Sequence, residues 1–442
     1  MTADTITAAD SRINARWLIP VEPFGVVLEH QAVILQGSRI ADVLPQSEAD
    51  RKYRTRETVN LDRHVVMPGL INLHGHTAML LFRGLADDLP LMTWLNDHIW
   101  PAEGRFVSEP FVLDGTRLAM AEMLRTGTTT FSDMYFFPEV TAQAAHDAGM
   151  RAQVCFPLMD MPTVWGSGPD EYLRKGAALI EQWQGDEYIM PAIGPHAPYT
   201  VSDQPLKDAV ALAGKTGAAI QLHLHETAFE VDEAMKATGS RPVTRMAELG
   251  VLGRNTQCVH MTQIDDSDLE QLVRSGAHIV HCPESNLKLA SGLCPVQKLM
   301  DHGINVTIGT DGAASNNDLD LFGELKTAAM VAKVVAGDAS ALSAHRALEM
   351  ATLNGARALG RDQELGSLVP GKLADLIAVD LSDPFLQPVY DPASHLVYSN
   401  HGRAVSHSWI HGVPQLQDGR LTRIDVPDLM LRVSEWRQQI LS

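Results

Sequence analysis

The middle of the chain repeats a unit in which an amphipathic helix ends at a glycine and an apolar strand follows. A glycine just past a helix supplies the left-handed cap that turns the chain back into a strand. Continuous apolar strands between helices indicate a parallel sheet covered on both faces. Eight candidate strands, from about residue 67 to 311, therefore predict a (β/α)₈ TIM-like barrel, and no glycine-rich nucleotide-binding motif supports the alternative of a doubly wound open sheet. The helix-ending glycines are Gly127, Gly149, Gly217, Gly276 and Gly303.

Both ends of the chain have a different texture from the middle. Residues 12–66 alternate apolar and polar positions in short runs separated by turn residues, which is typical of antiparallel strands. The same texture returns in 371–381 and 407–424, where the QDGR segment at 417–420 predicts a hairpin turn. Both ends are therefore predicted to be rich in β structure.

Composition limits the partners and the compartment. The 442 residues carry 35 Lys and Arg against 54 Asp and Glu, a formal charge of −19, which argues against nucleic acid and anionic membranes as partners. The four cysteines form no CxxC pair, which favours a reducing cytoplasm. The first 20 residues lack the apolar region of a signal peptide, and no apolar run is long enough to span a membrane. A cytoplasmic location is the expectation.

Ionisable residues stand where the apolar strands of the middle region end. In a barrel of this kind, the carboxyl ends of the strands form the face on which active sites lie. Since several strands end in this way, their side chains are expected to form one site. The residues concerned are His74, His76, His196, His223, His225, Glu226, His260, His281 and Asp311.

The spacing of these residues predicts a metal centre. His74 and His76 share a strand face, and Asp311 follows the last strand, where its carboxylate can ligate the ion. A third histidine ligand comes from the fifth strand, but spacing alone leaves the choice between His223 and His225 open. Three histidines and a carboxylate suit Zn²⁺, and Fe²⁺ and Mn²⁺ accept the same ligands.

A metal with an open position lowers the pKa of a bound water and is catalytic. Glu226 and His260 are then candidates for general acid and base chemistry beside it. For His260, the pattern supports a purely structural role as well as it supports a catalytic one.

Taken together, these segments resemble the amidohydrolase superfamily, and in combination the 5′-methylthioadenosine/S-adenosylhomocysteine deaminases. That family is related to s-triazine hydrolases and guanine deaminases. The resemblance extends from about residue 10 to 430. The segments that carry it are MPGLINLHGHTAM (67–79), TWLNDHIWPAE (93–103), GPHAPYT (194–200), HLHETAFEV (223–231), HCPESNLKL (281–289) and GTDGAASNN (309–317).

The resemblance implies both a fold and a set of roles. The fold is a distorted TIM barrel with a β-sandwich formed from both termini. It divides the chain into residues 1–66 (sandwich), 67–365 (metal-dependent barrel) and 366–442 (sandwich and terminal helix). The implied metal ligands are His74, His76, His223 and Asp311. The implied catalytic residues are Glu226, His260 and Asp311, and the implied substrate contacts are Glu103, His196, Glu226 and Asp311, with Glu103 on the ribose hydroxyls.

The resemblance also implies a reaction, the hydrolytic deamination of an adenosine-type nucleoside to the inosine analogue and ammonia. The fourth strand carries no lysine, so one catalytic ion is expected rather than a bridged pair. Segment 156–170 contains no arginine and offers Met159, Met161 and Trp165, which favours 5′-methylthioadenosine over S-adenosylhomocysteine; Arg174 lies just beyond.

Two alternatives to this nucleoside deaminase stay open from the sequence. One is an s-triazine or guanine aminohydrolase or chlorohydrolase with the same site, and the other is a non-catalytic metal-binding barrel. A small nucleoside is the expected partner, and by resemblance the chain is compatible with a homo-oligomer.

Overall fold

Two eight-stranded sheets contain all the strands of the described residues, which are 6–400 and 402–442 of a computed structural model. One sheet forms the barrel and the other unites the two ends of the chain. The strands are β1 (Thr7–Leu18), β2 (Leu28–Gln36), β3 (Arg39–Pro45), β4 (Tyr53–Pro68), β5 (Leu70–Asn72), β6 (Thr128–Met134), β7 (Arg151–Leu158), β8 (Ile189–Pro195), β9 (Ile220–Leu224), β10 (Thr256–His260), β11 (His278–His281), β12 (Val306–Ile308), β13 (Leu376–Asp380), β14 (Val405–Ile410), β15 (Val413–Gln417) and β16 (Arg420–Leu421).

The helices cover the barrel and connect its strands. Short 3₁₀ helices lie at Thr77–Phe82 and Pro384–Leu386, and π-helical turns lie at Trp94–Ile99 and His395–Ser399. The α-helices are α1 (Gln46–Lys52), α2 (Leu91–Thr93), α3 (Trp100–Phe106), α4 (Glu109–Arg125), α5 (Pro138–Ala148), α6 (Pro169–Gln182), α7 (Asp203–Thr216), α8 (Ala228–Thr238), α9 (Pro242–Glu248), α10 (Asp266–Ser275), α11 (Pro283–Lys288), α12 (Val296–Asp301), α13 (Leu321–Ala336), α14 (Ala344–Met350), α15 (Leu353–Ala358), α16 (Pro392–Ser394) and α17 (Val426–Leu441).

Strands β5 to β12 form the predicted barrel. Each pairs in parallel with the next along the chain, and the first and last are joined where Leu73 N donates to Ile308 O at 3.0 Å. The five glycines predicted to end helices all have positive φ, between 67° and 95°. The (β/α)₈ barrel is confirmed, and its strands bring their carboxyl ends to one rim.

Strands from both ends of the chain build the second sheet, in the order β16-β15-β14-β13-β4-β1-β2-β3. The two ends meet where β4 pairs antiparallel with β13, with Met67 opposite Ile377. Ile13 and Leu35 from the first end share a buried core with Trp409 from the second. The predicted β unit from both termini is confirmed, and its strands hydrogen-bond as one continuous sheet.

A buried ion pair connects the barrel to this sheet. Arg151, at the start of β7, is fully buried, and its guanidinium donates to Asp375 Oδ2 at 3.0 and 3.1 Å. The other carboxylate oxygen of Asp375 accepts from the backbone of His411 at 2.8 Å. Since both ions are satisfied, the pair orients the two units without leaving an isolated charge.

The remaining local predictions concern the turn at 417–420 and membrane spans. Asp418 and Gly419 have φ of 47° and 73°, as a two-residue hairpin turn between β15 and β16 requires. No helix in the described part of the chain is both long and apolar enough to cross a membrane.

Candidate active site

Three histidines and one aspartate meet at the carboxyl rim of the barrel. Their ligand atoms all lie within 4.8 Å of one another. Asp311 Oδ1 is 3.5 Å from His74 Nε2 and 3.2 Å from His76 Nε2, and His223 Nε2 is 3.1 Å from His74 Nε2. The structure therefore brings together the four residues predicted as metal ligands, and it shows a single such group among the described residues.

The outward-facing nitrogens of these histidines decide what the inner nitrogens can do. Each Nδ1 lies against an oxygen that can only accept a hydrogen bond, so each Nδ1 carries the proton and each Nε2 presents a lone pair. Lone pairs 3.1 Å apart repel unless a cation lies between them. The donor set therefore fits a divalent metal ion. The accepting oxygens are Gln221 Oε1 at 2.8 Å for His74, Met134 O at 2.6 Å for His76 and His196 O at 2.7 Å for His223.

His225, the alternative third ligand, points away from this group. Its Nδ1 lies 2.8 Å from Gln263 O, and its Nε2 accepts from Val243 N at 3.2 Å. The strand ends at Leu224, and His225 has a left-handed φ of 52°, so the alternation of faces no longer applies to it. The choice that spacing left open is thus decided by a backbone turn.

Left-handed backbone also occurs at His260 and Asp311, with φ of 75° and 63°. Such conformations are costly for residues other than glycine and persist only where the surroundings impose them. At His225 the restraint is Glu230, whose carboxylate accepts from the backbone N–H of His225 at 3.0 Å and of Glu226 at 2.8 Å. This contact directs Glu226 toward the metal group.

Glu226 is buried on the wall of the same cavity. Its Oε2 lies 3.9 Å from His260 Nε2, and its Oε1 accepts from Ser291 Oγ at 3.4 Å. Burial, and then the negative charge of Asp311, raise the pKa of Glu226 to about 8. In the metal-free protein the carboxyl group is therefore mostly protonated at neutral pH and is able to donate a proton.

His260 and Asp311 are the candidate proton acceptors. Burial lowers the pKa of His260, so the imidazole is neutral, and its ring stacks on that of His223 with centroids 5.5 Å apart. Asp311 Oδ2 accepts from Ser285 Oγ at 2.6 Å and from Ser315 Oγ at 2.9 Å, which leaves Oδ1 directed at the histidines.

A cavity of about 310 Å³ opens from this group toward the surface. Glu103 and His196, the predicted substrate contacts, both line it. Glu103 Oε1 accepts from Tyr135 OH at 2.7 Å, and burial raises the pKa of this carboxyl to about 7. His196 Nδ1 lies 3.1 Å from Thr200 Oγ1, and burial lowers the pKa of His196 to about 4.

Most of the cavity lining is apolar. Met159, Met161 and Val164 of the arginine-free segment line it. Trp165 does not line it, because its indole stacks on Tyr172 at 5.7 Å. Arg174 is likewise absent from the lining, its side chain 71% exposed, and no lysine or arginine lines the cavity in the described part of the chain.

Comparison with known proteins agrees with this geometry. The profile of the amidohydrolase family matches residues 65–414. The chain belongs to the amidohydrolase family. The 5-methylthioadenosine/S-adenosylhomocysteine deaminase of Saccharophagus degradans is 52% identical over 98% of this chain and 97% of its own. The 5′-deoxyadenosine deaminase of Methanothermobacter thermautotrophicus is 42% identical over 88% and 90%.

A solved structure extends the likeness to three dimensions. The crystal structure of an adenosine deaminase from Xanthomonas campestris with bound zinc superposes with a TM-score of 0.98, at 44% identity over 99% of both chains. The resemblance read from the sequence motifs, to the amidohydrolases and to the methylthioadenosine/S-adenosylhomocysteine deaminases within them, is confirmed.

Several side chains of this amidohydrolase site are not among the residues predicted from the sequence. Gln221 lies two residues before His223 on the same strand face, so strand alternation alone could have indicated it. Ser285 and Asn286 lie within the segment HCPESNLKL, but nothing in the pattern shows that they contact Asp311 and His260. Aromatic residues of segment 91–104 also line the cavity, and these are Trp94 and Trp100.

Proposed function

We propose that this amidohydrolase is a metal-dependent hydrolytic deaminase of adenosine-type nucleosides, with 5′-methylthioadenosine as its preferred substrate. One observation carries the proposal: the metal-binding group, Glu226 with its raised pKa and a neutral His260 line one cavity, and most of the remaining lining is apolar. That arrangement suits a substrate with a purine to be hydrolysed at one end and an uncharged substituent at the other.

Zinc is the proposed ion, held by His74, His76, His223 and Asp311. Its support is the nitrogen-rich donor set with one carboxylate, together with the zinc bound by the adenosine deaminase from Xanthomonas campestris. When bound, such an ion supplies a Lewis acid that brings the pKa of a water toward neutrality.

The surrounding side chains would then move the protons of the reaction. Water adds to C6 of the purine, and its proton passes to Asp311 Oδ1 or to His260 Nε2. Glu226 gives its proton to N1. The exocyclic amine then takes the proton held by Asp311 or His260 and departs as ammonia as the C6–N bond breaks, and the proton of the C6 hydroxyl passes to Glu226 and restores its protonated form. The sum is nucleoside plus water to inosine analogue plus ammonia. Each proton transfer by a positioned group is worth about 10²- to 10⁴-fold in rate.

Glu103 and His196 would hold the nucleoside in place. The carboxylate of Glu103, fixed by Tyr135 at 2.7 Å, is proposed to accept hydrogen bonds from the ribose hydroxyls. His196 shares the metal end of the cavity, with its ring 5.0 Å from that of His223, and is proposed to contact the purine. Both contacts orient the substrate relative to the groups that transfer protons.

The apolar side chains of the cavity are the basis for the proposed preference at the 5′ position. Met159, Met161 and Val164 offer a methylthio group a hydrophobic wall. The amino-acid tail of S-adenosylhomocysteine carries a carboxylate, which needs a cationic partner when it is desolvated, and the described lining holds none.

A substrate panel tests the proposal. We expect ammonia release from 5′-methylthioadenosine, with kcat/KM at least about tenfold above that for S-adenosylhomocysteine. Equal kcat/KM values for the two nucleosides would contradict the proposed preference but not the proposed deaminase activity. Chloride release from a chlorinated triazine, or ammonia from guanine, with no nucleoside turnover would refute the deaminase itself. Bound metal without turnover of any of these compounds would favour the non-catalytic alternative.

The cellular compartment and the partners of the enzyme are also part of the proposal. All four cysteines are buried and unpaired, which supports a reducing cytoplasm. A small nucleoside remains the proposed partner, homo-oligomerisation remains a prediction from family resemblance, and the division of the chain after residues 66 and 365 remains a prediction as well.

A further inference from the structure

Asn286 lies behind His260, on the side of the ring away from the cavity. Its Oδ1 is 2.8 Å from His260 Nδ1, and both residues are almost completely buried, with 2% and 1% of their surface exposed. The opposite ring nitrogen, Nε2, faces Glu226 Oε2 at 3.9 Å. The partner on Nδ1 therefore decides whether Nε2 presents a lone pair or a proton to the site.

We propose that Asn286 is a positioning residue that holds His260 as the Nδ1–H tautomer, so that the Nε2 lone pair faces the reacting water. The proposal rests on the proposed function in one respect, because it assigns His260 the role of a proton acceptor. A neutral imidazole accepts through one nitrogen only, so the opposite tautomer would leave His260 without an accepting atom on the cavity side.

The backbone restrains both members of this pair. Helix α11 begins directly after the strand that ends at His281, and Asn286 N donates to Cys282 O at 3.0 Å, which places the amide at the end of the neighbouring β10. His260 itself has a φ of 75°. The preceding residue, Ser285, donates to Asp311 Oδ2 at 2.6 Å, so a single helical turn contacts both candidate proton acceptors.

The Nδ2 end of the Asn286 amide makes no hydrogen bond to the described residues that would fix the orientation of the amide, so the contact with His260 determines it. Asn286 Nδ2 is buried and has no hydrogen-bond partner among residues 6–400 and 402–442, and the same is true of Nδ1 of His281. Rotation of the amide by half a turn would place a donor against His260 Nδ1 and would require the proton on Nε2. A side chain at position 286 that has the shape of asparagine but can only accept a hydrogen bond would favour the Nδ1–H tautomer of His260, and it therefore distinguishes the two tautomers.

Asn286→Asp supplies that side chain, and Asn286→Leu removes the hydrogen bond at similar volume. Asn354→Leu is the matched control, because Asn354 is another buried amide, 4% exposed, that donates to Val306 O at 2.9 Å away from the site. Each zinc-loaded protein is labelled with ¹⁵N-histidine, and the His260 resonances are assigned by their loss in His260→Gln. Steady-state kcat and KM for 5′-methylthioadenosine are measured in parallel.

We expect wild type, Asn286→Asp and Asn354→Leu to show a protonated Nδ1 and an unprotonated Nε2 at His260. Asn286→Asp should keep kcat within about tenfold of wild type, whereas Asn286→Leu should lose about 10²-fold or more in kcat with little change in KM. If the hydrogen bond of Asn286 were merely structural, Asn286→Leu and Asn354→Leu would both lower the stability of the protein, and Asn286→Leu would not show a loss of kcat with little change in KM.

Three results would overturn the proposal. They are a protonated Nε2 at His260 in the wild type, an Asn286→Asp protein as inactive as Asn286→Leu, and an Asn286→Leu protein with wild-type kcat. The wild-type resonance decides the matter even if both variants fail to fold. Because that measurement needs no nucleoside, a wild-type protein that turns over no adenosine-type substrate would refute the proposed function and leave the tautomer assignment standing.

Discussion

Glu226→Gln is expected to remove activity and yet stabilise the fold. Glu226 is 9% exposed, and burial raises the pKa of its carboxyl group to about 8 from a usual value of 4.5. In the unfolded chain the group ionises near its usual pKa, so the folded state binds the proton more tightly than the unfolded state does. Stability from this group is therefore fully present below about pH 4.5 and is lost as the pH rises through about 8.

The magnitude follows from the difference between the two pKa values. One pKa unit corresponds to about 1.36 kcal/mol, so the folded state forfeits about 3 kcal/mol at pH 7 and about 5 kcal/mol well above pH 8. Glutamine has nearly the same shape and carries no charge, and it can still accept from Ser291. The substitution should recover most of this energy at alkaline pH and almost none at acid pH.

The assay is a urea titration of metal-free protein at about pH 5 and about pH 8.5, because a bound cation would itself favour the ionised carboxylate. Glu233→Gln serves as the control, since this exposed carboxylate pairs with Lys236 at the surface and should change the unfolding free energy by less than about 0.5 kcal/mol at either pH. A Glu226→Gln protein that is less stable than wild type at both pH values, or equally stabilised at both, would refute the reasoning.

Four further outcomes are expected. In the zinc-loaded wild type, kcat/KM should fall at alkaline pH as Glu226 loses the proton it donates, with a midpoint at or below about pH 8 because the bound cation favours the carboxylate, and a pH-rate profile flat to pH 10 would contradict this. Arg151→Met should lower the unfolding free energy by about 3–5 kcal/mol in urea titrations, because it leaves the Asp375 carboxylate buried without its partner; an unchanged midpoint would count against it. Met161→Arg should raise kcat/KM for S-adenosylhomocysteine relative to 5′-methylthioadenosine by about tenfold, and an unchanged ratio would show that the tail lies elsewhere. Glu103→Gln should cost about 10- to 100-fold in kcat/KM with ribonucleosides and little with a 2′,3′-dideoxy analogue, whereas equal losses would exclude the ribose contact.

Metal removal gives a separate test of the centre. Dialysis against a chelator should abolish turnover and lower the thermal midpoint, since an ion that binds only the folded state stabilises it, and added Zn²⁺ should restore both. Full activity in protein shown by elemental analysis to be free of metal would contradict the proposed site.

The architecture could be predicted from the sequence because it depends on periodic signals. Apolar strands after glycine-ended helices repeat often enough to count eight βα units, and alternation at both ends marks the second sheet. The location of the site was equally accessible, since His74, His76 and Asp311 follow apolar strands whose carboxyl ends must meet in a barrel. These periodic patterns do not predict the direction in which a side chain points once its strand has ended.

His223 and His225 illustrate this limit. They lie two residues apart and would share a face on a regular strand, but the left-handed turn at His225 breaks the alternation and sends its ring toward Gln263. Family resemblance selected His223, whereas spacing had no means to do so. The same holds for the 156–170 segment, in which Met159 and Met161 reach the cavity while Trp165 packs on Tyr172 instead.

The sequence by itself therefore determined the barrel, the β unit made from both ends, the rim on which the site lies and the residue types that gather there. Each of these depends on local periodicity or on a motif that is contiguous in the chain. Only the tertiary structure decided which nitrogen of each histidine faces inward, that burial raises the pKa of Glu226, and that Asn286 contacts His260. Those properties arise from atoms far apart in sequence and from the exclusion of water, neither of which is written in the order of residues.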